Sequence, residues 1–136
     1  MPPMLLQFLL HLMLEGGDPL TLRGLMPFAT NSLLLSGLTA LLAVAALRQD
    51  PGATILHNLI CSRAVPEVVR EHGGVPFRTK VGHSYIKQIM AETGAVFGGE
   101  HSAHYYFARN FNADSGLIAS LVVMAEAGRS GLPLSE

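Results

Sequence analysis

The chain has 136 residues, a formal net charge of −1 and only 14% charged side chains. That length suits one domain, with about two-thirds of the chain's surface buried on folding. The absence of a basic field or an acidic tail argues against a nucleic-acid partner, and the single cysteine, Cys61, excludes an internal disulfide and fits a reducing, cytoplasmic compartment.

Met4 to Leu14 is an apolar run with no basic segment before it and no small-residue cleavage site after it, which argues against a secretory signal. Residues 1–36 are read as an apolar extension with no assigned fold. Leu33 to Leu47 is a second apolar run. As a helix it would span about 22 Å, short of a hydrocarbon core of about 30 Å. It is therefore expected to be a buried helix, with Ser32 or Ser36 near its start and Arg48 at its end. Insertion of residues 25–47 into lipid is the alternative.

Asp50-Pro51-Gly52 marks a turn, and Ala53 to Ile60 reads as a buried strand rich in β-branched residues. Ser62 is a candidate cap for a helix over Ala64 to His72, closed by Gly73-Gly74. Val75 to Lys80 is predicted as a strand, Ser84 to Thr93 as a helix ended by Gly94, and Ala95 to Phe97 and Tyr105 to Phe107 as two more strands. Asp114 or Ser115 caps a last helix that carries Leu117, Ile118, Leu121, Val122 and Met124 and ends at Gly128. Short strands alternating with helices predict an α/β fold, a layered α/β/α domain over residues 37–127 with a mixed, largely parallel sheet of about four strands. Residues 128–136 read as a tail or linker. Ligands of such sheets bind at strand ends, which directs attention to Cys61-Ser62, Val81-Gly82-His83 and Gly98-Gly99-Glu100.

The segment Gly98-Gly99-Glu100-His101-Ser102-Ala103-His104 is the richest in chemistry. Two glycines suggest a sharp turn and close approach of a ligand to the backbone. A carboxylate and a hydroxyl together suit a polyol, and imidazoles can bind phosphate or shuttle protons. A metal held by Glu100, His101 and His104, or a polar turn with incidental histidines, are the competing readings. Thr79 to Ser84, leading into a helix with Lys87, offers an anion site at a helix start; the plainer reading is a capped helix with a solvated lysine. Ser62 is a cap before it is a nucleophile, and nothing marks Cys61 as activated.

Together ICSRAVPEVV, TKVGHSYIKQIM and FGGEHSAHYYF resemble, in order and spacing, the third domain of the α-D-phosphohexomutases, the phosphomannomutase/phosphoglucomutase family. The resemblance runs from about Leu38 to about Ala127. It implies an intramolecular phosphotransferase, an isomerase of carbohydrate metabolism that interconverts hexose 1-phosphate and 6-phosphate. Glu100 and Ser102 would then bind the sugar 3- and 4-hydroxyls. His104 would lie near the reacting hydroxyl, and His83 would help position the substrate. Gly99 and Lys87 complete the expected substrate-binding set. The family uses a phosphoserine, Mg²⁺ held by an Asp-Gly-Asp-x-Asp loop, and hexose 1,6-bisphosphate as activator. This sequence contains no such metal loop, so no metal ligands are assigned. No serine sits in the phosphoserine context. Ala103 replaces the loop's usual glycine, a small change if its φ is negative, and Ile60 replaces a substrate-contacting lysine. The resulting expectation is a mutase fragment carrying the sugar-binding domain for mannose or glucose phosphate. It would be inactive alone, and the missing mutase domains are its candidate partners.

Overall fold

A computed structural model describes residues 26–131, with side chains from residue 34 onward. The apolar run over residues 4–14 and residues 132–136 lie outside the described residues. Helix α1 spans Met26–Gln49, so it crosses the 36/37 boundary drawn from sequence. The chain continues through β1 (Thr54–Asn58), α2 (Ala64–Glu71), β2 (Val75–Thr79), α3 (His83–Thr93), β3 (Phe97–Gly99) and β4 (Tyr105–Phe107). A short 3-10 turn over Ala108–Asn110 leads to β5 (Ala113–Asp114) and α4 (Gly116–Ser130).

The sheet has five strands in the order β2-β1-β3-β4-β5. Strands β2, β1 and β3 run parallel, and β4 and β5 return antiparallel. The fold is α/β with a mixed sheet, parallel where the crossover helices α2 and α3 force it to be. The added fifth strand is two residues long.

Side chains alternate across this sheet, so each strand supplies both faces. Ile55, Phe97 and Tyr105 pack with Leu42, Ala43 and Leu47 of α1, Val69 of α2 and Ala119 of α4. Leu56 and Tyr106 point the other way and pack with Ile86 and Met90 of α3. Helix α1 is buried around most of its circumference, because its apolar residues meet α2, α4 and the sheet. Among the described residues, no helix is long and apolar enough to cross a membrane. Arg48 ends α1 and pairs with Glu126 of α4, while Arg109 bonds Gln49 and Asp50 and ties the 3-10 turn to the α1–β1 corner.

Two local expectations are corrected. Strand β3 covers Phe97–Gly99 rather than residues 95–97, so the two glycines belong to the strand. Helix α4 continues past Gly128 to Ser130 and closes at Gly131, in the left-handed conformation. It is apolar on every side, and the face it buries holds Ala119, Val122 and Val123 while Leu117, Leu121 and Met124 are exposed.

Buried His57 in β1 has its pKa pushed down, first by burial, then by the charges of Arg78 and Arg70 and against a hydrogen bond to the Asn58 carbonyl. The unfolded chain therefore binds more protons than the fold as pH falls from the free-histidine value of about 6.5 toward the lowered value in the fold. His57 leaves stability undiminished above that value and lowers it as pH falls. We expect Tm to decline below about pH 6.5 and the uncharged His57→Gln to flatten that decline. Parallel Tm–pH curves for the two proteins would refute the assignment.

Candidate functional site

The ends of the parallel strands explain why distant motifs meet. Strands β1, β2 and β3 all finish at one edge of the sheet. Strand β4 runs back from that edge, since Tyr105 pairs with Gly99, and β5 returns to it, since Asp114 pairs with Tyr106. Loops 59–63, 80–82 and 100–104 and the end of β5 therefore share one rim.

Glu100 organises this rim. Its residue is only 2% exposed. One carboxylate oxygen accepts the Gly82 backbone N–H at 3.2 Å, and the other accepts the Tyr106 hydroxyl at 2.9 Å. The acid thus sits at the start of α3, where the helix dipole favours negative charge. Gly82 precedes α3 with φ 135°, a conformation open to glycine and strained for other residues, which lets its N–H turn toward Glu100.

Tyr106 carries the contact onward. His83 Nδ1 lies 2.8 Å from the Tyr106 oxygen. The single phenolic proton goes to the Glu100 carboxylate, so the His83 Nδ1–H must be the donor to Tyr106. Burial, then the Glu100 carboxylate, holds the Tyr106 hydroxyl well above the ordinary phenol range, so it stays protonated. His104 donates from Nδ1 to Asp114 at 3.1 Å, and this bond pulls the Asp114 carboxyl below its usual range. The His83 and His104 rings meet edge to face with centroids 4.8 Å apart.

The 100–104 loop is closed by Glu100 N–H to His104 C=O at 3.0 Å and Ala103 N–H to Glu100 C=O at 3.3 Å. His101 does not join Glu100 and His104. It turns to Asn58, whose amide nitrogen donates to its Nδ1 at 2.9 Å while the amide oxygen accepts the Cys61 N–H at 3.1 Å. Asn58 thereby pins loop 59–63 to loop 100–104. Burial pushes the Cys61 thiol up to about 11, which leaves it an unactivated side chain. Ser62 Oγ accepts the Ala64 N–H at 3.3 Å, but Arg63 holds the N-cap position of α2 without a side-chain cap bond, so Ser62 lies one residue before the cap expected of it. Ser102 and Lys87 are both exposed at the rim side of the fold, Lys87 one turn beyond His83 on α3. Ile60 is exposed in the first loop.

The glycines of the loop motif do not turn the backbone. Neither has a positive φ. A side chain at Gly98 would press on Ile86 and Leu56, and one at Gly99 would collide with Thr39 of α1 at 2.4 Å. Their role in this fold is to let α3 and α1 lie close to β3. Ala103 corrects a further expectation, because its φ is +65°. Left-handed backbone costs a residue with a Cβ about 1–2 kcal/mol. Ala103→Gly is therefore expected to raise stability by about 1 kcal/mol; a denaturation midpoint that stays put or falls would count against it.

Sequence reasoning missed Asn58, Tyr106 and Asp114. Asn58 carried a readable signal, an Asn able to bond the backbone of the following turn. Tyr106 passed as a strand aromatic. Asp114 was a candidate cap, but Ser115 takes that role by accepting the Ile118 N–H, which leaves Asp114 for His104. Among the described residues, the group able to hold a metal is His83, His104 and Asp114. Two imidazoles and one carboxylate do not fit Mg²⁺, which takes oxygen ligands in an octahedron.

Comparison with known proteins bears on the family and the fold. The phosphoglucomutase/phosphomannomutase, alpha/beta/alpha domain III, profile matches residues 36–136. A protein of Xanthomonas campestris pv. campestris described as phosphohexose mutases is 39% identical over 99 residues, covering 73% of this chain and 22% of that protein. The phosphomannomutase of Escherichia coli K12 is 43% identical over 86 residues, covering 63% and 19%. The chain thus spans about a fifth of the length of the curated relatives it matches. The crystal structure of a phosphoglucomutase/phosphomannomutase family protein from Burkholderia thailandensis matches with a TM-score of 0.58 and 39% identity, over 62% of this chain and 19% of that one. A Thermus thermophilus structure at 19% identity and a TM-score of 0.60, over 71% of this chain and 23% of its own, supports the fold alone. The chain belongs to the phosphoglucomutase/phosphomannomutase family, through its alpha/beta/alpha domain III.

Proposed function

We propose that this chain is the sugar-binding wall of a phosphohexomutase, presenting Glu100, Ser102, His83, His104, Gly99 and Lys87 to a mannose or glucose phosphate. The observation that carries the reading is the chain of contacts Gly82–Glu100–Tyr106–His83 with His104 alongside, which joins two separate motifs into one rim. Ser102 is free to donate to or accept from a sugar hydroxyl. Glu100 is buried and already accepts two bonds, so a sugar hydroxyl reaches it by displacing the half-buried Gly82 N–H. His104, held through Nδ1 by Asp114, keeps Nε2 for a proton at the reacting hydroxyl. His83 and Lys87 orient the phosphate.

Mg²⁺, the phosphoserine and the bisphosphate activator of the full reaction are not assigned to this rim, and the remaining mutase domains are the partner class. A cytoplasmic setting goes with this reading. A few hydrogen bonds on an open face, each contributing about 0.5–1.5 kcal/mol, give binding of roughly millimolar strength. Titrating the ¹⁵N-labelled chain with mannose 1-phosphate or glucose 1-phosphate should perturb amides 82–84 and 99–104 selectively. The chain with Mg²⁺ and a trace of hexose 1,6-bisphosphate should form no 6-phosphate. Perturbations confined to other segments would reject the sugar site, and turnover abolished by Glu100→Ala would reject the division of labour.

A further inference from the structure

We propose that His83, His104 and Asp114 form a binding site for a divalent first-row transition ion, with Zn²⁺ as the leading occupant. The three residues come from the start of α3, the loop before β4 and the end of β5, and one candidate ligand atom from each lies within 4.8 Å of the others. Two imidazoles with one carboxylate form a nitrogen-rich, borderline donor set that suits Zn²⁺, Co²⁺ or Ni²⁺ and disfavours Mg²⁺ and Ca²⁺.

The second argument is the state in which the histidines are held. Tyr106 gives its proton to Glu100 and so fixes the proton of neutral His83 on Nδ1. Asp114 does the same for His104. Both rings are thereby left with a bare Nε2, which is the atom and the tautomer a metal takes. An outer hydrogen bond from the other ring nitrogen is the support that metal-bound histidines normally have. Asp114, hydrogen-bonded to His104, brings a carboxylate to offset the charge of the cation.

Zn–N bonds of about 2.0–2.1 Å require tetrahedral ligands to approach to about 3.3 Å, so the side chains must close on the ion. His83 and Asp114 are exposed and His104 half-buried, so rotation meets little packing. Asp114 either ligates directly or remains behind His104 as its carboxylate partner, and water completes the shell. If the rim also takes a hexose phosphate, ion and sugar compete for the two histidines. That consequence rests on the proposed function, whereas metal binding itself does not.

The test is calorimetric titration of the tag-free chain with ZnCl₂, repeated with Co²⁺ followed by its visible absorption. One equivalent should bind. His83→Ala and His104→Ala should each weaken binding by at least about tenfold, as should Asp114→Asn, whether it ligates or supports. His72→Ala, just past the end of α2, should leave it unchanged. In the unmodified chain, Zn²⁺ should shift the ring signals of His83 and His104 in NMR spectra, a readout independent of any variant's folding. Absence of saturable binding, ring shifts at His101 instead, or affinity that survives His83→Ala with His104→Ala would overturn the proposal. Zn²⁺ binding with no sugar-phosphate perturbation would leave the metal site standing and remove the proposed function alone.

Discussion

Replacing Glu100 with alanine is expected to lower stability by about 3 kcal/mol, read as a fall of about 10 °C in Tm. The side chain is buried and accepts one backbone and one phenolic hydrogen bond. Hydrogen bonds to a charged acceptor contribute about 1.5–3 kcal/mol each, and a buried donor left without a partner bears its full desolvation cost. Tyr106, at 0% exposure, cannot turn to water, and its proton keeps a partner only if His83 gives up the proton on Nδ1. Glu100→Gln should be milder and chemically more telling. The Gln amide oxygen can still accept from Gly82, but its NH₂ must donate to Tyr106. The phenol then donates to His83 Nδ1, which becomes the bare nitrogen, and the His83 proton moves to Nε2. Nitrogen chemical shifts of His83 report that tautomer change directly. An alanine variant as stable as the parent, or a Gln variant with His83 still protonated on Nδ1, would show that the Glu100–Tyr106–His83 chain does not operate.

This chain of contacts marks the limit of what the sequence could convey. Element type was readable because the apolar runs differ in length and are closed by Gly73-Gly74 and Gly94. The meeting of Gly82-His83 with Glu100 followed from parallel strands ending at one edge, and the structure places them in hydrogen-bond contact. The inward turn of Glu100 could not be read, because it depends on Tyr106 reaching it from the neighbouring strand across a two-residue offset. Asp114 reaches the rim only because β5 exists, and two residues carry no periodicity. The buried face of α4 was equally hidden, since a helix apolar all round offers no stripe to choose. The glycines misled for a different reason. A Gly-Gly pair is the usual mark of a turn, and here the constraint came from a helix some 60 residues earlier in the chain, at Thr39.

That constraint carries the other large expectation. Gly99→Ala should cost about 2–3 kcal/mol, toward the upper end of what overpacking a well-filled site costs. The new methyl would lie 2.4 Å from Thr39 Cγ2 and 3.1 Å from its Oγ1, both inside van der Waals contact. Thr39 has little freedom to yield. It is β-branched, fully buried, and its hydroxyl donates to the Leu35 carbonyl one turn back at 2.9 Å. Relief must then come from moving α1 away from β3, which opens the packing of Leu42 and Phe97 as well. The same displacement would shift Glu100, the next residue, and slacken its bond to Gly82, so the rim should loosen with the core. A double-mutant cycle separates this contact from any general intolerance of the strand. Thr39→Ala removes both clashing atoms, leaving only Thr39 Cβ at 3.2 Å. Thr39→Ala with Gly99→Ala should therefore recover about 1–2 kcal/mol relative to the sum of the single changes. Strict additivity of the two in denaturant unfolding would mean that the glycine is required by something other than the approach of α1.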